Sequence, residues 1–138
     1  MSFYIKNIDS KRNFEEVVKG DGVTVVRFGA AAQEECRRVD QLLSTIKQKA
    51  AQHFEIYAYE KQDIPAEISQ RYRLEDKKCG VMFFSHGEPL LLKYGRSMKT
   101  HVLESFKDRE SLLSIFVLVK QAVSRGAKSV QIFEDGMG

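Results

Sequence analysis

Apolar residues along the chain follow two periods. Short β-branched or aromatic runs stand at 23–28 (VTVVRF), 54–59 (FEIYAY), 81–84 (VMFF) and 90–94 (LLLKY), and runs of this length and composition predict strands. Between them the spacing turns helical. Phe14, Val17 and Val18 give a 3-4 pattern within 9–20, where Asp9 or Ser10 can cap the start and Gly20 the end. From Glu34 to Gln52, Cys36, Val39, Leu42, Leu43, Ile46 and Ala50 fall on one helical face. Pro65 opens a short helical stretch over 65–73, a first-turn position that suits proline. A last helix runs from a cap at Asp108 to about Ser124, with Gly126 just beyond it. "FYIKNI" (3–8) reads as a short edge strand, and "SHGEP" as the turn of an antiparallel hairpin between 81–84 and 90–94.

The resulting order is β-α-β-α-β-α-β-β-α. Two βαβ units followed by a hairpin and a closing helix predict an α/β fold, a central mixed sheet flanked by helices on both faces. With no linker or repeat in view, residues 1–130 read as one domain and 131–138 as a short tail.

Composition narrows the classes. The chain has 138 residues, 43% hydrophobic and 30% charged, ordinary for a globular domain. Its net charge of +3 is compatible with an anionic partner but lacks the basic blocks that argue for nucleic acid alone. The longest apolar run, "SIFVLV" (114–119), is too short to span a bilayer, and the N-terminus lacks the sections of a secretory signal. An intracellular protein with reduced cysteines is therefore expected.

The candidate chemistry is sparse. His53, His86 and His101 share no metal-ligand spacing with each other or with the cysteines. "GDG" (20–22) lacks the rest of a phosphate loop, and Ser85 beside His86 lacks an orienting acid. "RYRLEDKK" gathers Arg71, Arg73, Lys77 and Lys78, with Lys93, Arg96 and Lys99 able to extend the patch. Such a run reads either as a solvated face or as a surface for RNA phosphate or an acidic protein. Base-specific RNA reading is not expected without interleaved aromatics. On the last helix Leu112, Ile115, Phe116, Val119 and Val123 form a core-facing stripe, leaving Leu113, Val117 and Leu118 off it. That surplus is covered either by "VQIF" (130–133) folding back or by a partner.

With a cysteine in the first turn of the second helix, the chain resembles thioredoxin, and more closely the Dim family of thioredoxin-like spliceosomal proteins. The residues that carry this are "VVRFG" (25–29), Cys36, Asp40, "IYAYE" (56–60), "CGVMFF" (79–84), "YG" (94–95), "SFKDRESLL" (105–113) and "RGA" (125–127). The chain departs from the family at "AAAQEE" before Cys36 and at "KKCG" before "VMFF". Compared with thioredoxin, Gln33 takes the nucleophile's place, Arg27 that of the buried carboxylate, and Lys78 or Cys79 that of the loop proline; only Cys36, at the resolving position, remains. An amide cannot attack a disulfide, so dithiol exchange through this motif is excluded.

The resemblance implies a non-enzymatic, nuclear pre-mRNA splicing component. It would act through protein contacts in the U5 or U4/U6.U5 tri-snRNP particle, with no catalytic residue, metal, cofactor, small-molecule substrate or membrane. Arg71, Arg73, Lys77, Lys78, Leu113 and Val117 are its candidate partner surface. Cys36 reads as a buried core thiol or, with Cys79 at a position matching the family's, as half of a disulfide. The other readings are a redox-responsive protein using a reversible Cys36–Cys79 bridge, and a peptide-binding adaptor outside splicing.

Overall fold

A computed structural model describes residues 5–50, 54–94, 98–104 and 109–132. The elements are β1 (Lys6–Asn7), α1 (Lys11–Val17), β2 (Val23–Gly29), α2 (Glu34–Ala50), β3 (Phe54–Glu60), a 3-10 turn (Lys61–Asp63), α3 (Ala66–Arg71), β4 (Cys79–Ser85), β5 (Glu88–Pro89), β6 (Leu91–Tyr94), β7 (Met98–Thr100), α4 (Arg109–Ser124) and β8 (Ser129–Ile132). Ser10 caps α1 by accepting from Asn13 N at 3.0 Å, satisfying a donor the helix itself cannot. Past α4, Gly126 takes φ +75 and Ala127 N donates to Ala122 O at 2.9 Å, a left-handed stop that glycine adopts without steric cost.

The main sheet has the order β1-β3-β2-β4-β5. β2 lies parallel to β3 and antiparallel to β4, in a register that sets Gly29 between Glu60 and Cys79. Alternate side chains feed two cores. Val25, Ile56 and Phe83 pack with Leu43 and Ile46 of α2 and with Phe116 and Val119 of α4. Val26, Phe28, Tyr59, Met82 and Phe84 pack with Phe14 of α1 and Ile68 of α3. The helices therefore divide as α2 and α4 on one face, α1 and α3 on the other. Phe14 meets the rings of Phe28, Tyr59, Tyr72 and Phe84, and its truncation would cost about 3–5 kcal/mol.

The expected hairpin is only partly formed. β4 pairs with the two residues of β5 through Phe84↔Pro89 and Ser85↔Glu88, and Leu90 N donates to Phe83 O at 2.8 Å. The strand then leaves the main sheet, and β6 joins a second sheet of order β7-β6-β8. The outer half of β4 is met instead by Leu103, which exchanges both backbone hydrogen bonds with Val81. Pro89 offers no N–H to a ladder, which helps end the β4–β5 pairing. The turn itself places His86 (φ 55) and Gly87 (φ 82) in left-handed conformation, as a two-residue hairpin turn requires. Its tip docks on the end of α1, with His86 N on Gly20 O and Gly87 N on Val18 O.

β8 carries the fold to Ile132, past the boundary expected at 130. Phe3 and Tyr4, Arg96, Asp108, the end of the second helix at Gln52, the placement of Ala50 on the core face and the tail 133–138 lie outside the described residues. No helix among the described residues is long and apolar enough to cross a membrane.

Candidate functional site

β2, the central strand of the main sheet, delivers the motif at its C-terminal end. Its interior position Arg27 is 1% exposed and lies beneath α2. Nε and Nη2 donate to Asp40 Oδ1 and Oδ2, both at 2.8 Å, Nη2 also to Glu60 Oε2 at 2.7 Å, and Nη1 to Gly29 O at 2.7 Å. Glu60 extends the network outward, its Oε1 accepting from Ala31 N at 3.0 Å. Burial opposes the charged guanidinium, but hydrogen bonds and Coulomb attraction from Asp40, then Glu60, outweigh it and raise Arg27 above its ordinary range. One buried cation thus ties β2, α2, β3 and the motif loop together. The sequence signal for this cluster was present: an arginine inside an otherwise near-apolar strand, and Asp40 one turn after Cys36 on the buried face of α2.

Beside it sit Cys36 and Cys79, both buried and both free thiols. The Cys36 thiol donates to Lys78 O at 3.5 Å, the carbonyl just before Cys79. The neighbouring Cys79 side chain, helped by Arg27 and opposed by burial, holds Cys36 below the usual thiol range. Cys36 in turn, with burial, pushes Cys79 up. Space for the pair comes from Gly29, at φ +146, where a Cβ would stand 2.4 Å from Cys36 Sγ and 2.8 Å from Lys78 O. Gln33 is exposed and its backbone accepts from Arg37 N at 3.0 Å. An open hollow of about 400 Å³ runs over Gln33, Glu34, Glu35, Arg38 and Lys78. The position that the resemblance gives to a thioredoxin nucleophile thus holds an exposed amide at an open hollow.

The candidate partner residues divide between two faces. Arg71 pairs with Glu67 at 3.8 Å and lies 5.7 Å from the Tyr72 ring centre, Arg73 is exposed at φ 57, and Lys77 bonds Glu104 at 3.0 Å. Lys78 is exposed at the motif end. Leu113 and Val117 belong to α4, on the opposite side of the sheet; Leu113 is half-buried against the core and Val117 is 53% exposed. The α4 stripe buries Leu112, Ile115, Phe116, Val119 and Ala122, with Val123 at its margin. A second, largely apolar cavity of about 380 Å³ opens beside α3, floored by Phe28, Ile64, Leu74 and Gly80; the sequence offered no periodic signal for it.

The family described as "Mitosis protein DIM1" matches residues 4–135. The human protein named Thioredoxin-like protein 4B is 26% identical over 133 residues, 95% of this chain and 88% of that protein. The Candida glabrata protein named Spliceosomal protein DIB1 is 26% identical over 112 residues, 81% of this chain and 75% of that one. Among solved structures, a thioredoxin from Malassezia sympodialis superposes with a TM-score of 0.62 at 18% identity, covering 84% of this chain and 90% of its own. That likeness establishes a thioredoxin-like fold. With the family's match extending over nearly the whole chain and the fold to go with it, this chain belongs to the DIM1 family.

Proposed function

We propose that the protein is a nuclear, non-enzymatic component of pre-mRNA splicing, contributing protein contacts within the U5 or U4/U6.U5 tri-snRNP particle. The observation that carries this reading is the family match, over a motif whose nucleophile position is Gln33 and whose carboxylate position is Arg27. Relatives from Candida glabrata and Saccharomyces cerevisiae bear the name Spliceosomal protein DIB1. The buried Arg27–Asp40–Glu60 cluster supports a rigid scaffold role, because it holds the motif loop through Ala31 where a redox enzyme would need an accessible thiolate. The contact surfaces in this reading are the motif loop, the loop bearing Arg73 and Lys78, and the Leu113/Val117 side of α4. Tagged protein purified from its own cells at gentle salt tests it: spliceosomal proteins and the U5 RNA should co-purify, also with Cys36→Ala plus Cys79→Ala. Their absence would refute the reading.

The placement of two buried free thiols on either side of Gly29 favours one second reading, a reversible Cys36–Cys79 disulfide. Oxidation by hydrogen peroxide would form the S–S bond by removing two electrons and two protons from the thiol pair, breaking the O–O bond and releasing two waters. The reading requires a mobility shift on oxidation that Cys79→Ser abolishes.

A further inference from the structure

The cations near α3 are partly committed to acids, as the Arg71–Glu67 and Lys77–Glu104 pairs show. The second sheet differs. Its register sets Lys93 of β6 directly opposite Lys99 of β7, with Gln131 of β8 opposite Lys93 on the other side. Leu92, Val130 and Ile132 point into the core, so strand alternation puts Lys93, Lys99 and Gln131 together on the outer face. Neither lysine has an ion-pair partner among the described residues. Neighbouring strands lie about 4.8 Å apart, and like charges directly opposite in an antiparallel pair destabilise it. A sheet that keeps two lysines directly opposite each other, with no acid in register among the described residues, is complementary to a line of negative charge.

We propose that this face binds the phosphate backbone of single-stranded RNA, Lys93 and Lys99 contacting neighbouring phosphates. Phosphates recur about every 3.4 Å of axis along a stacked strand, within reach of two lysine side chains on adjacent strands. The described outer-face residues, Leu91, Lys93, Lys99, Ser129 and Gln131, include no aromatic ring on which a base could stack, so the contact fixes position and does not read sequence. The choice of RNA over an acidic protein segment rests on the splicing reading. The contact also moves the RNA-facing surface away from Arg71 and Lys77 and onto the second sheet.

The test is titration of the purified full chain with labelled oligouridylate between about 50 and 200 mM salt. Each phosphate contact on a single strand adds about 0.7 to the slope of log affinity against log salt. Lys93→Ala/Lys99→Ala should therefore lower that slope by about 1.4. Lys93→Glu turns the repulsive pair into an attractive one, so its melting temperature should rise while RNA affinity falls. A purely structural pair cannot give that opposed result. An unchanged slope in the double variant overturns the proposal. So does polyglutamate binding more tightly than oligouridylate through the same two lysines, which would make the occupant an acidic protein. The splicing reading is judged separately by co-purification: loss of the particle with a two-lysine RNA slope intact supports this contact and removes only that reading.

Discussion

Replacing Asp40 by alanine is the sharpest test of the buried cluster. The change removes two hydrogen bonds of 2.8 Å from a guanidinium that is 1% exposed. Nε is left without an acceptor, and the charge is balanced only by Glu60, itself partly open to solvent. Removing one partner of a buried ion pair costs about 3–5 kcal/mol. Because Glu60 and Gly29 O still hold Nη2 and Nη1, the lower end applies, about 3 kcal/mol. For a chain of this size that lowers Tm by about 10 °C. The double variant Arg27→Met/Asp40→Leu removes both charges and fills the space with apolar groups, so it should lie within about 1 kcal/mol of the parent or above it. Urea unfolding of parent, single and double variants, read by circular dichroism, measures all three. An Asp40→Ala cost below about 1 kcal/mol, or a double variant as unstable as the single one, would refute the claim that an uncompensated buried cation is what destabilises.

Three further outcomes are expected. Tyr59 is fully buried with no hydrogen-bond partner for its hydroxyl among the described residues, so Tyr59→Phe should stabilise the fold by about 1 kcal/mol in thermal melts. Burial, then the charges of Asp63, Asp9 and Glu15, raise its pKa above 10.0. Below pH 10.0 both folded and unfolded states stay protonated; above it the unfolded chain ionises first, so stability falls with rising pH, and Tyr59→Phe should fall less steeply. Gly29→Ala should cost about 1–3 kcal/mol from backbone strain alone, with Cys36→Ala restoring only part, because Lys78 O still crowds the new Cβ. Val117→Glu, at an exposed position, should leave Tm within about 0.5 kcal/mol of the parent while cutting recovery of spliceosomal proteins; full recovery would remove α4 from the contact surface.

Much of the site could be read from residue type and spacing. Gln33 in the nucleophile's place and Cys36 one turn into a helix excluded dithiol exchange, since an amide has no lone pair able to attack sulfur. Arg27 was legible as a charge where thioredoxins bury a carboxylate, and Asp40 by its place one turn after Cys36, but their joining with Glu60 was not. Asp40 and Glu60 come from a helix and a neighbouring strand, and only the parallel β2–β3 register sets Glu60 beside Gly29. The basic run at 71–78 and the pair Leu113 and Val117 were separate contact candidates in the sequence, and the sheet sets them on opposite faces, because α3 and α4 feed different cores.

What the sequence determined by itself is local in origin. Strand and helix periods, the caps at Ser10 and Gly126, and the β-α alternation depend on contacts a few residues apart, and with them came the two-faced sheet. Tertiary structure decided what depends on pairing between distant segments. "LLLKY" satisfies the pattern of a second hairpin strand, but whether its backbone bonds go to β4 or to β8 is a competition that alternation cannot resolve, since the same face is buried either way. The like-charged Lys93–Lys99 pair follows from the β6–β7 register, and the gathering of Cys36 and Cys79 at Gly29 from the packing of α2 on the β2–β4 pair. Each exists only because chain register, fixed by burial across the whole sheet, brings residues together that the sequence keeps apart.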